Sequence, residues 1–294
     1  MGPTTADPAP EQAPPRSDVA ALAELVARGG VSVLSGAGLS TESGIPDYRG
    51  PSGALRTTLP MTFQEFTRKP QARQRYWARS HLGWQRMREA APNAGHRAVA
   101  ALQAAGLVDG VVTQNVDGLH TAAGAHDVVE LHGALSRVVC LDCGRRTARA
   151  ELDARLREAN PGWDADRAGL RVNPDGDAHL DDDAVAGFAV VPCLACAGVL
   201  KPDVVFFGES VPPAWVAAAC EAVDAARSLL VLGSSLTVYS GRRFVVRAAD
   251  RGIPVAIVTQ GATRADALAA VRLDAPLGAT LQALTGMVGV RPGT

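Results

Sequence analysis

The feature that most constrains the fold is a regular alternation of short apolar runs with helical runs. The apolar runs, rich in Val, Leu and Ile, lie at 31–35, 111–113, 128–131, 204–207, 229–232 and 255–258. The helical runs lie between them, at 19–27 behind the cap Ser17-Asp18, from Thr62 to about Ala91, from Pro92 to about Gly106, at 213–227 and at 244–250. Strands that alternate with helices form a parallel sheet covered on both faces. The sequence therefore predicts an α/β fold with a doubly wound parallel sheet.

Polar clusters follow five of these predicted strands, directly after positions 35, 113, 131, 232 and 258. In open parallel sheets, ligands bind beyond the carboxyl ends of the strands. One cleft could therefore collect side chains that are far apart in the sequence.

The first cluster starts like a dinucleotide-binding loop and then departs from that pattern. Gly36-Ala37-Gly38 follows a β-branched run, but Thr41 stands where the third glycine of G-x-G-x-x-G would fall. No acidic residue lies about 20 positions further on, where a dehydrogenase would hold the ribose. The pattern disfavours a hydride-transferring dehydrogenase, and it leaves open what the polar stretch from Ser40 to Arg49 does.

Four of the five cysteines form two C-x-x-C pairs, Cys140 with Cys143 and Cys193 with Cys196. Four thiolates in two such pairs are typical of a closed, tetrahedral structural zinc site. The polar, acidic segment between the pairs, which contains "PDGDAHLDDD", must then loop out. Cys220 lies in an Ala-rich helix and is interpreted as a small core residue.

Composition excludes several classes of function. The formal net charge is −1, so neither a nucleic-acid partner nor another polyanion is indicated. No apolar run reaches the roughly 18–20 residues of a membrane span. The Pro- and Ala-rich segment 1–17 lacks the regions of a secretory signal and is predicted to be a disordered tail. We expect a cytoplasmic protein without a membrane partner.

Taken together, the motifs resemble those of the sirtuins, the NAD-dependent protein-lysine deacylases. The pieces occur in the family's order and span about residues 18–285: 36–49, Gln114-Asn115-Val116-Asp117, His132-Gly133, the two C-x-x-C pairs, Lys201-Pro202 and Gly233-Ser234-Ser235. The stretches "RQRYWAR", "CLDCG", "KPDVVFFGE" and "VYSG" resemble the class II branch in particular.

The resemblance implies a Rossmann-like large domain, 18–137 with 201–294, and a smaller zinc-binding and helical domain. The zinc-binding module would be 138–200, and a helical insertion at about 50–92 would belong to the small domain. NAD and one structural zinc ion are the implied cofactors. NAD and an acyl-lysine protein would meet in the cleft between the domains.

The resemblance also implies the cofactor contacts. The 40–49 stretch would fold over NAD as a lid, which answers what it does. The residues implied to contact NAD are Gly36, Ala37, Gly38, Ser40, Asp47, Tyr48, Arg49, Gln114, Asn115, Asp117, Gly233, Ser234, Ser235, Thr259, Gln260, Gly261 and Leu277. The family often has Asn after the strand at 254–258, where this chain has Thr259, and usually Phe where this chain has Tyr48.

His132 and Asn115 are the implied catalytic residues. Imidazole suits proton transfer near neutral pH, and His132 would act as the general base on a ribose hydroxyl. The products would be free lysine, nicotinamide and O-acyl-ADP-ribose. His96 is interpreted as a helix-packing residue, and no role is assigned to His81, His120 or His126.

Two segments are candidates for substrate binding. Phe207-Gly208-Glu209 resembles the segment that pairs with the substrate peptide through its backbone. Tyr76 and Arg79, three positions apart on a helix, resemble a pair that binds acidic acyl groups such as succinyl. The alternative for Arg79 is a solvated or inter-helix arginine.

The leading hypothesis is an NAD-dependent protein-lysine deacylase that acts as a monomer. Two alternatives keep the NAD site: protein ADP-ribosyl transfer and lipoamide-type amide removal. A third, of another class, is a non-catalytic NAD sensor.

Overall fold

The computed structural model describes residues 15–48, 60–163, 176 and 185–291. Its helices are α1 (Val19–Ala27), α2 (Phe63–Arg68), α3 (Pro70–Glu89), α4 (Ala94–Ala104), α5 (Leu119–Ala122), α6 (Arg149–Ala159), α7 (Pro213–Asp224), α8 (Tyr239–Asp250) and α9 (Leu277–Met287). Its strands are β1 (Val31–Ser35), β2 (Val108–Thr113), β3 (Val128–Glu130), β4 (Gly133–Cys140), β5 (Arg146–Ala148), β6 (Leu200–Val204), β7 (Ser228–Leu232), β8 (Val255–Val258) and β9 (Val271–Leu273).

Six strands form a parallel sheet in the order β3-β2-β1-β7-β8-β9. Every residue of β1, β7 and β8 is buried, because helices cover both faces. One face packs against α1, α4 and α9 around Leu102, Leu230 and Leu281, and the other against α7 and α8 around Leu229 and Phe244. The predicted α/β fold with a doubly wound parallel sheet is confirmed.

A second sheet has three strands, in the order β5-β4-β6, and is antiparallel. Its core is rich in aromatic residues and includes Phe66, Trp77 and Phe206 from three different segments. The predicted strand at 204–207 is therefore wrong in position and in partner. The strand runs from Leu200 to Val204 and pairs with β4, since Pro202 and the buried Lys201 do not interrupt an edge strand.

The helical region predicted from Thr62 to about Ala91 is two helices. Thr62 caps α2, and its side chain and that of Glu65 form a reciprocal capping box. The chain breaks at Lys69 because the residue before a proline disfavours the helical conformation. Pro70 then occupies the first position of α3, where its missing N–H is tolerated.

The predicted tail is wrong at its last residues. Arg16 forms a bridge with Val271 at the edge of the six-stranded sheet, through backbone hydrogen bonds of 3.1 Å to Ala270 and 2.8 Å from Arg272. Residues 1–14 and the "PDGDAHLDDD" segment, except Gly176, lie outside the described residues. No helix in the described part is long and apolar enough to cross a membrane.

Candidate functional site

A cleft of about 390 Å³ lies where the carboxyl ends of β1 and β7 meet. These neighbouring strands are not consecutive in the chain, so the cleft is at the switch point where α/β sheets bind ligands. Most of the predicted NAD contacts line it: Gly36, Ala37, Gly38, Ser40, Asp47, Tyr48, Gln114, Asn115, Asp117, Gly233, Ser234, Ser235, Thr259 and Gln260.

Glycines bring the loops after β1 and β7 into direct backbone contact. A Cβ added to Gly38 would lie 2.8 Å from the Gly233 oxygen, and one added to Gly36 would lie 2.8 Å from the Ser234 Cβ. The Gly38 N–H donates to the Gly233 oxygen over 2.8 Å. Side chains at 36 or 38 would therefore separate the two loops and fill the cradle between them.

Asn115 and Asp117 hold the same loop from the adjacent strand. The Asn115 amide donates to the Gly36 oxygen and to Ser40 Oγ, each over 3.1 Å. Ser40 Oγ donates to the Asp117 carboxylate over 2.7 Å. The remaining Asp117 oxygen caps α5 by accepting the Leu119 N–H over 2.9 Å. This end of the cleft is thus pre-organised by a continuous polar network.

Gln114 joins the ends of three strands. Its side-chain amide donates to the Ser35 oxygen over 3.2 Å and to Ser234 Oγ over 3.0 Å. Its backbone oxygen accepts from His132 Nδ1 over 2.9 Å. Gln114 therefore fixes the loop after β7 and the catalytic candidate at the same time.

The geometry around His132 fixes its tautomer. A carbonyl oxygen only accepts, so Nδ1 carries the proton that is donated to Gln114. Nε2 is left with a lone pair, and Ser240 Oγ lies 2.8 Å from it. Burial lowers the pKa of His132 below 6.5, and the charge of Arg243 lowers it further, against the opposing hydrogen bond to Gln114. The ring is neutral at neutral pH, as a general base requires.

The residue after His132 must be a glycine. Gly133 has φ of +80°, and a Cβ there would lie 2.0 Å from the Asp203 oxygen. The close approach sets β4 against β6 and so places His132 at the junction between the two sheets.

A second hydrogen-bonded chain lies below the cleft and is buried. His120 Nε2 lies 2.8 Å from Ser35 Oγ, which donates to Thr113 Oγ1 over 2.8 Å. Thr113 Oγ1 also accepts the Asn115 N–H over 3.1 Å. Burial lowers the pKa of His120 to about 3, so His120 is a neutral donor through Nε2. Sequence reasoning gave His120 no role, because the contact joins positions 85 residues apart.

The segment predicted to bind the substrate peptide is anchored from inside. Glu209 accepts the Phe206 N–H over 2.8 Å and pairs with the buried Lys201 over 3.1 Å. The Phe207 oxygen accepts the Phe63 N–H over 2.9 Å. Phe207, Gly208 and Glu209 all line the cleft, but the Glu209 carboxylate faces its own segment.

The structure separates several residues that the sequence analysis grouped. Tyr76 lines the cleft, packed against Phe66 and Phe206, whereas Arg79 does not line it. Gly261 is engaged with Asp274 and Arg272 instead. Leu277 is in the core under the sheet. The placement of Arg49 lies outside the described residues.

The four cysteines converge on one point. Their sulfur atoms all lie within 4.8 Å of one another, with 3.5 Å between Cys140 and Cys196 and 3.9 Å between Cys143 and Cys193. Four sulfurs around one zinc ion at about 2.3 Å would be about 3.8 Å apart. The four residues therefore fit one structural zinc ion and leave no ligand position for substrate.

Sequence reasoning missed part of the cleft wall. Thr237, Val238 and Ser240 line it at the start of α8. Their position in the sequence could have indicated this, because they lie between the end of a predicted strand and the beginning of a helix, where ligands bind in such sheets. The stretch "VYSG" at 238–241 was assigned only to a branch resemblance and not to the cleft.

Comparison with known proteins agrees with this geometry. The sequence matches the Sir2 family over residues 36–240. It is 58% identical over 286 residues to NAD-dependent protein deacetylase 1 of Streptomyces coelicolor, covering 97% of this chain and 95% of that protein. It is 54% identical over 263 residues to NAD-dependent protein deacetylase 1 of Mycobacterium avium, covering 88% and 92%.

Solved structures of Sir2 proteins have a similar fold. One, described as showing the structural basis for the mechanism and regulation of Sir2 enzymes, has a TM-score of 0.72 at 30% identity and covers 92% of this chain and 97% of that chain. Another, of a Sir2 protein with a p53 peptide and NAD+, has a TM-score of 0.72 at 26% identity, with coverages of 92% and 99%.

Proposed function

This chain belongs to the Sir2 family, and from that premise we propose that it is an NAD-dependent protein-lysine deacylase. The observation that carries the proposal is a neutral His132 whose Nε2 lone pair faces the Ser240 hydroxyl, at the junction of the two sheets and in the same cleft as the glycine cradle. The large and small domains would correspond to the six-stranded and three-stranded sheets. The cleft is built within one chain, which supports action as a monomer, and the composition supports a cytoplasmic location.

The polar groups of the cleft fit NAD. Gly36, Gly38 and Gly233 line the cleft without side chains, so the backbone of the two loops can approach a phosphate closely. Asn115 and Asp117 would bind at the nicotinamide and ribose end, where they already fix Ser40. When bound, NAD supplies an electrophilic ribose carbon after nicotinamide leaves.

The chain's own residues would accept the proton and orient the base. His132 Nε2 accepts a proton from a hydroxyl, and the imidazolium that forms stays oriented by its Nδ1–H bond to Gln114. In the absence of substrate, Ser240 Oγ occupies the position opposite Nε2. Because burial lowers the pKa of His132, a larger fraction of this base is deprotonated, and therefore active, at mildly acidic pH than of an exposed imidazole.

The cleft favours a neutral acyl group. Among its described lining residues there is no Lys or Arg, while Asp47 and Asp117 supply carboxylates. Tyr76, Phe206 and Val204 make one wall apolar. An acidic acyl group would lose its hydration there, and none of the described lining residues offers it a cation to pair with. Acetyl or another short neutral group therefore fits best.

One mass-spectrometric panel tests the proposal. The protein and its His132→Ala variant are incubated with NAD and peptides that carry acetyl-, succinyl-, glutaryl- or lipoyl-lysine. We expect NAD-dependent loss of acetyl with the native protein and a decrease of about 10²–10⁴-fold with the variant. His126→Ala is the matched control, since the His126 side chain is 67% exposed, and it should retain native activity.

Other results would overturn the proposal in distinct ways. ADP-ribose attached to protein, without acyl loss, would indicate a transferase. Removal of lipoyl alone would indicate a lipoamidase. NAD binding without NAD consumption would indicate a sensor.

A further inference from the structure

The arginines of α8 fall into two groups. At its far end, Arg247 donates two hydrogen bonds of 2.6 Å to Asp224, and Arg251 lies 3.3 Å from the same carboxylate. At the end near the cleft, Arg242 and Arg243 have no carboxylate partner and donate no side-chain hydrogen bond within the described part of the chain. One end of α8 is thus neutralised and the other is not.

The guanidinium groups of Arg242 and Arg243 both lie over one exposed ring. The Cζ atoms of Arg242 and Arg243 are 5.8 Å and 5.4 Å from the centroid of the Tyr239 ring. The Tyr239 side chain is 61% exposed. Arg243 Nε is buried without an acceptor among the described residues. We name Tyr239, Arg242 and Arg243 the Tyr239 patch.

The position of the patch in its helix makes it electrostatically unfavourable without a ligand. The amino end of a helix carries partial positive charge and is stabilised by anions. The first turn of α8 contains no acidic residue, and two cations follow within the second turn. The charge of Arg243 also lowers the pKa of His132. An anion bound to the patch would offset the repulsion between the arginines and the positive amino end of α8. It would also offset the repulsion between Arg243 and a protonated His132.

The patch lies at the rim of the cleft and outside it. Val238 and Ser240, on either side of Tyr239, line the cleft, while Tyr239, Arg242 and Arg243 do not. A carboxylate on the acyl group, inside the cleft, is therefore not the expected ligand. A side chain that flanks the acyl-lysine in the substrate polypeptide would lie outside the cleft, at its rim.

We propose that the Tyr239 patch binds an acidic side chain, Asp or Glu, that flanks the acyl-lysine in the substrate. The inference rests on the proposed function, because it requires an acyl-lysine polypeptide in the cleft. The arginines pair with the carboxylate, and the Tyr239 ring packs against the side-chain stem. The patch would thus select among acyl-lysine sites by their neighbouring residues.

The test compares acetyl-lysine peptides that differ at one flanking position. Asp, Asn or Lys is placed in turn at each of the three positions on either side of the acetyl-lysine. With the native protein, we expect KM to be about threefold to tenfold lower for Asp than for Asn at one or two adjacent positions. The difference should shrink as salt rises from about 0.05 to 0.5 M, because screening weakens exposed ion pairs.

Variants assign the effect to the patch. The ratio of KM for the Asn peptide to KM for the Asp peptide should approach one in Arg243→Gln and should decrease part of the way toward one in Arg242→Gln. Arg243→Glu should reverse the preference in favour of the Lys peptide. Arg251→Gln is the matched control, because Arg251 lies on the same helix and pairs with Asp224, and its ratio should be native.

Three results would each overturn the proposal. One is equal KM for the Asp and Asn peptides at every position. Another is a ratio that stays native in Arg243→Gln. The third is an Arg243→Gln defect seen with succinyl-lysine but not with flanking Asp.

Peptide affinity measured by fluorescence anisotropy tests the patch independently of catalysis. If no acyl group is removed from any peptide, the proposed function fails. A contrast in affinity between the Asp and Asn peptides would then still support the patch, and its absence would refute it.

Discussion

The two sheets of this molecule are stabilised by different means. The six-stranded region consists of β1–β3 and β7–β9 with α1, α4 and α7–α9. Its cores are made almost wholly of Val, Leu, Ile and Ala. The three-stranded region consists of β4–β6 with α2, α3, α6 and the four cysteines. Its core combines aromatic rings with buried charge.

The buried charge of the three-stranded region joins α3 to α6. Asp153 lies 2.7 Å from His81 Nδ1, 3.5 Å from Arg149 and 2.9 Å from Arg157. The Arg149 guanidinium is also 5.3 Å from the ring centroids of both Trp77 and Trp84. A small sheet cannot bury enough apolar surface by itself. This region therefore depends on the cysteine site and on an ionic cluster.

Removal of metal and exposure to acid should therefore destabilise the three-stranded region and largely spare the six-stranded region. The six-stranded region should respond mainly to changes in apolar volume.

Cys143→Ser should cause the largest loss of stability, about 5 kcal/mol or more in the free energy of unfolding of the three-stranded region. The reason is that structural zinc contributes about 10–16 kcal/mol to the folding of small zinc-dependent peptides. Zinc content falls, and hydrogen exchange should show lost protection in β4–β6 while β1 and β7 keep theirs. Cys220→Ser, outside the cysteine site, is the control. Full zinc occupancy with unchanged melting would refute the site.

Asp153→Asn should lower the free energy of unfolding by about 3–5 kcal/mol at pH 7, because it leaves the buried Arg149 without its carboxylate partner. The hydrogen bond from His81 and the charge of Arg149 outweigh burial and hold the pKa of Asp153 below 3.8. A depressed carboxyl pKa stabilises the fold above the unfolded value and loses that effect as pH falls through the folded value.

The native protein should therefore lose this contribution below about pH 4, and the Asn variant should lack that part of the acid transition. Urea unfolding from pH 3 to pH 8 measures both. Asp224→Asn removes a partly exposed pair and should reduce stability far less than Asp153→Asn does, because solvent screens exposed ion pairs. Equal losses in the two variants would contradict the contrast.

Leu230→Ala should cost about 2–5 kcal/mol, since Leu230 is fully buried in β7 and its truncation leaves a cavity. The loss should be the same at pH 5 and pH 8, and the same before and after zinc chelation of the three-stranded region. Leu268→Ala, 37% exposed, is the control and should change stability by less than about 0.5 kcal/mol. A zinc-dependent cost would show that the two regions unfold as one unit.

His120→Asn should have the smallest effect, about 1 kcal/mol, measured as an approximately fivefold weaker affinity for NAD by calorimetry. The buried donor to Ser35 is lost, and the support under Asn115 loosens. His120→Gln is the matched variant, because its side-chain N–H lies near the position of Nε2, and it should bind more nearly as the native protein does. Equal affinities for the two variants would show that His120 only fills space.

The polar residues of the candidate site were partly predictable from the sequence. The strand ends after 35, 113, 131 and 232 were visible as apolar runs followed by polar residues, and the parallel sheet brings them to one edge. The glycine cradle was predictable because a strand followed by Gly36-Ala37-Gly38 allows close backbone approach. Arg79 and Leu277 were grouped with the cleft through motif resemblance, and the structure places neither in its wall.

Local periodicity and pair spacing were enough to predict the fold class and the cysteine site, whereas most residues of the cleft were predicted through resemblance to a family. The orientation of His132, the support beneath Asn115 and the lack of a carboxylate partner for Arg242 and Arg243 among the described residues emerged from the folded structure. Those properties depend on contacts such as His120 with Ser35 and Arg247 with Asp224. Local sequence patterns do not encode the distances between residues that folding brings together from far apart in the chain.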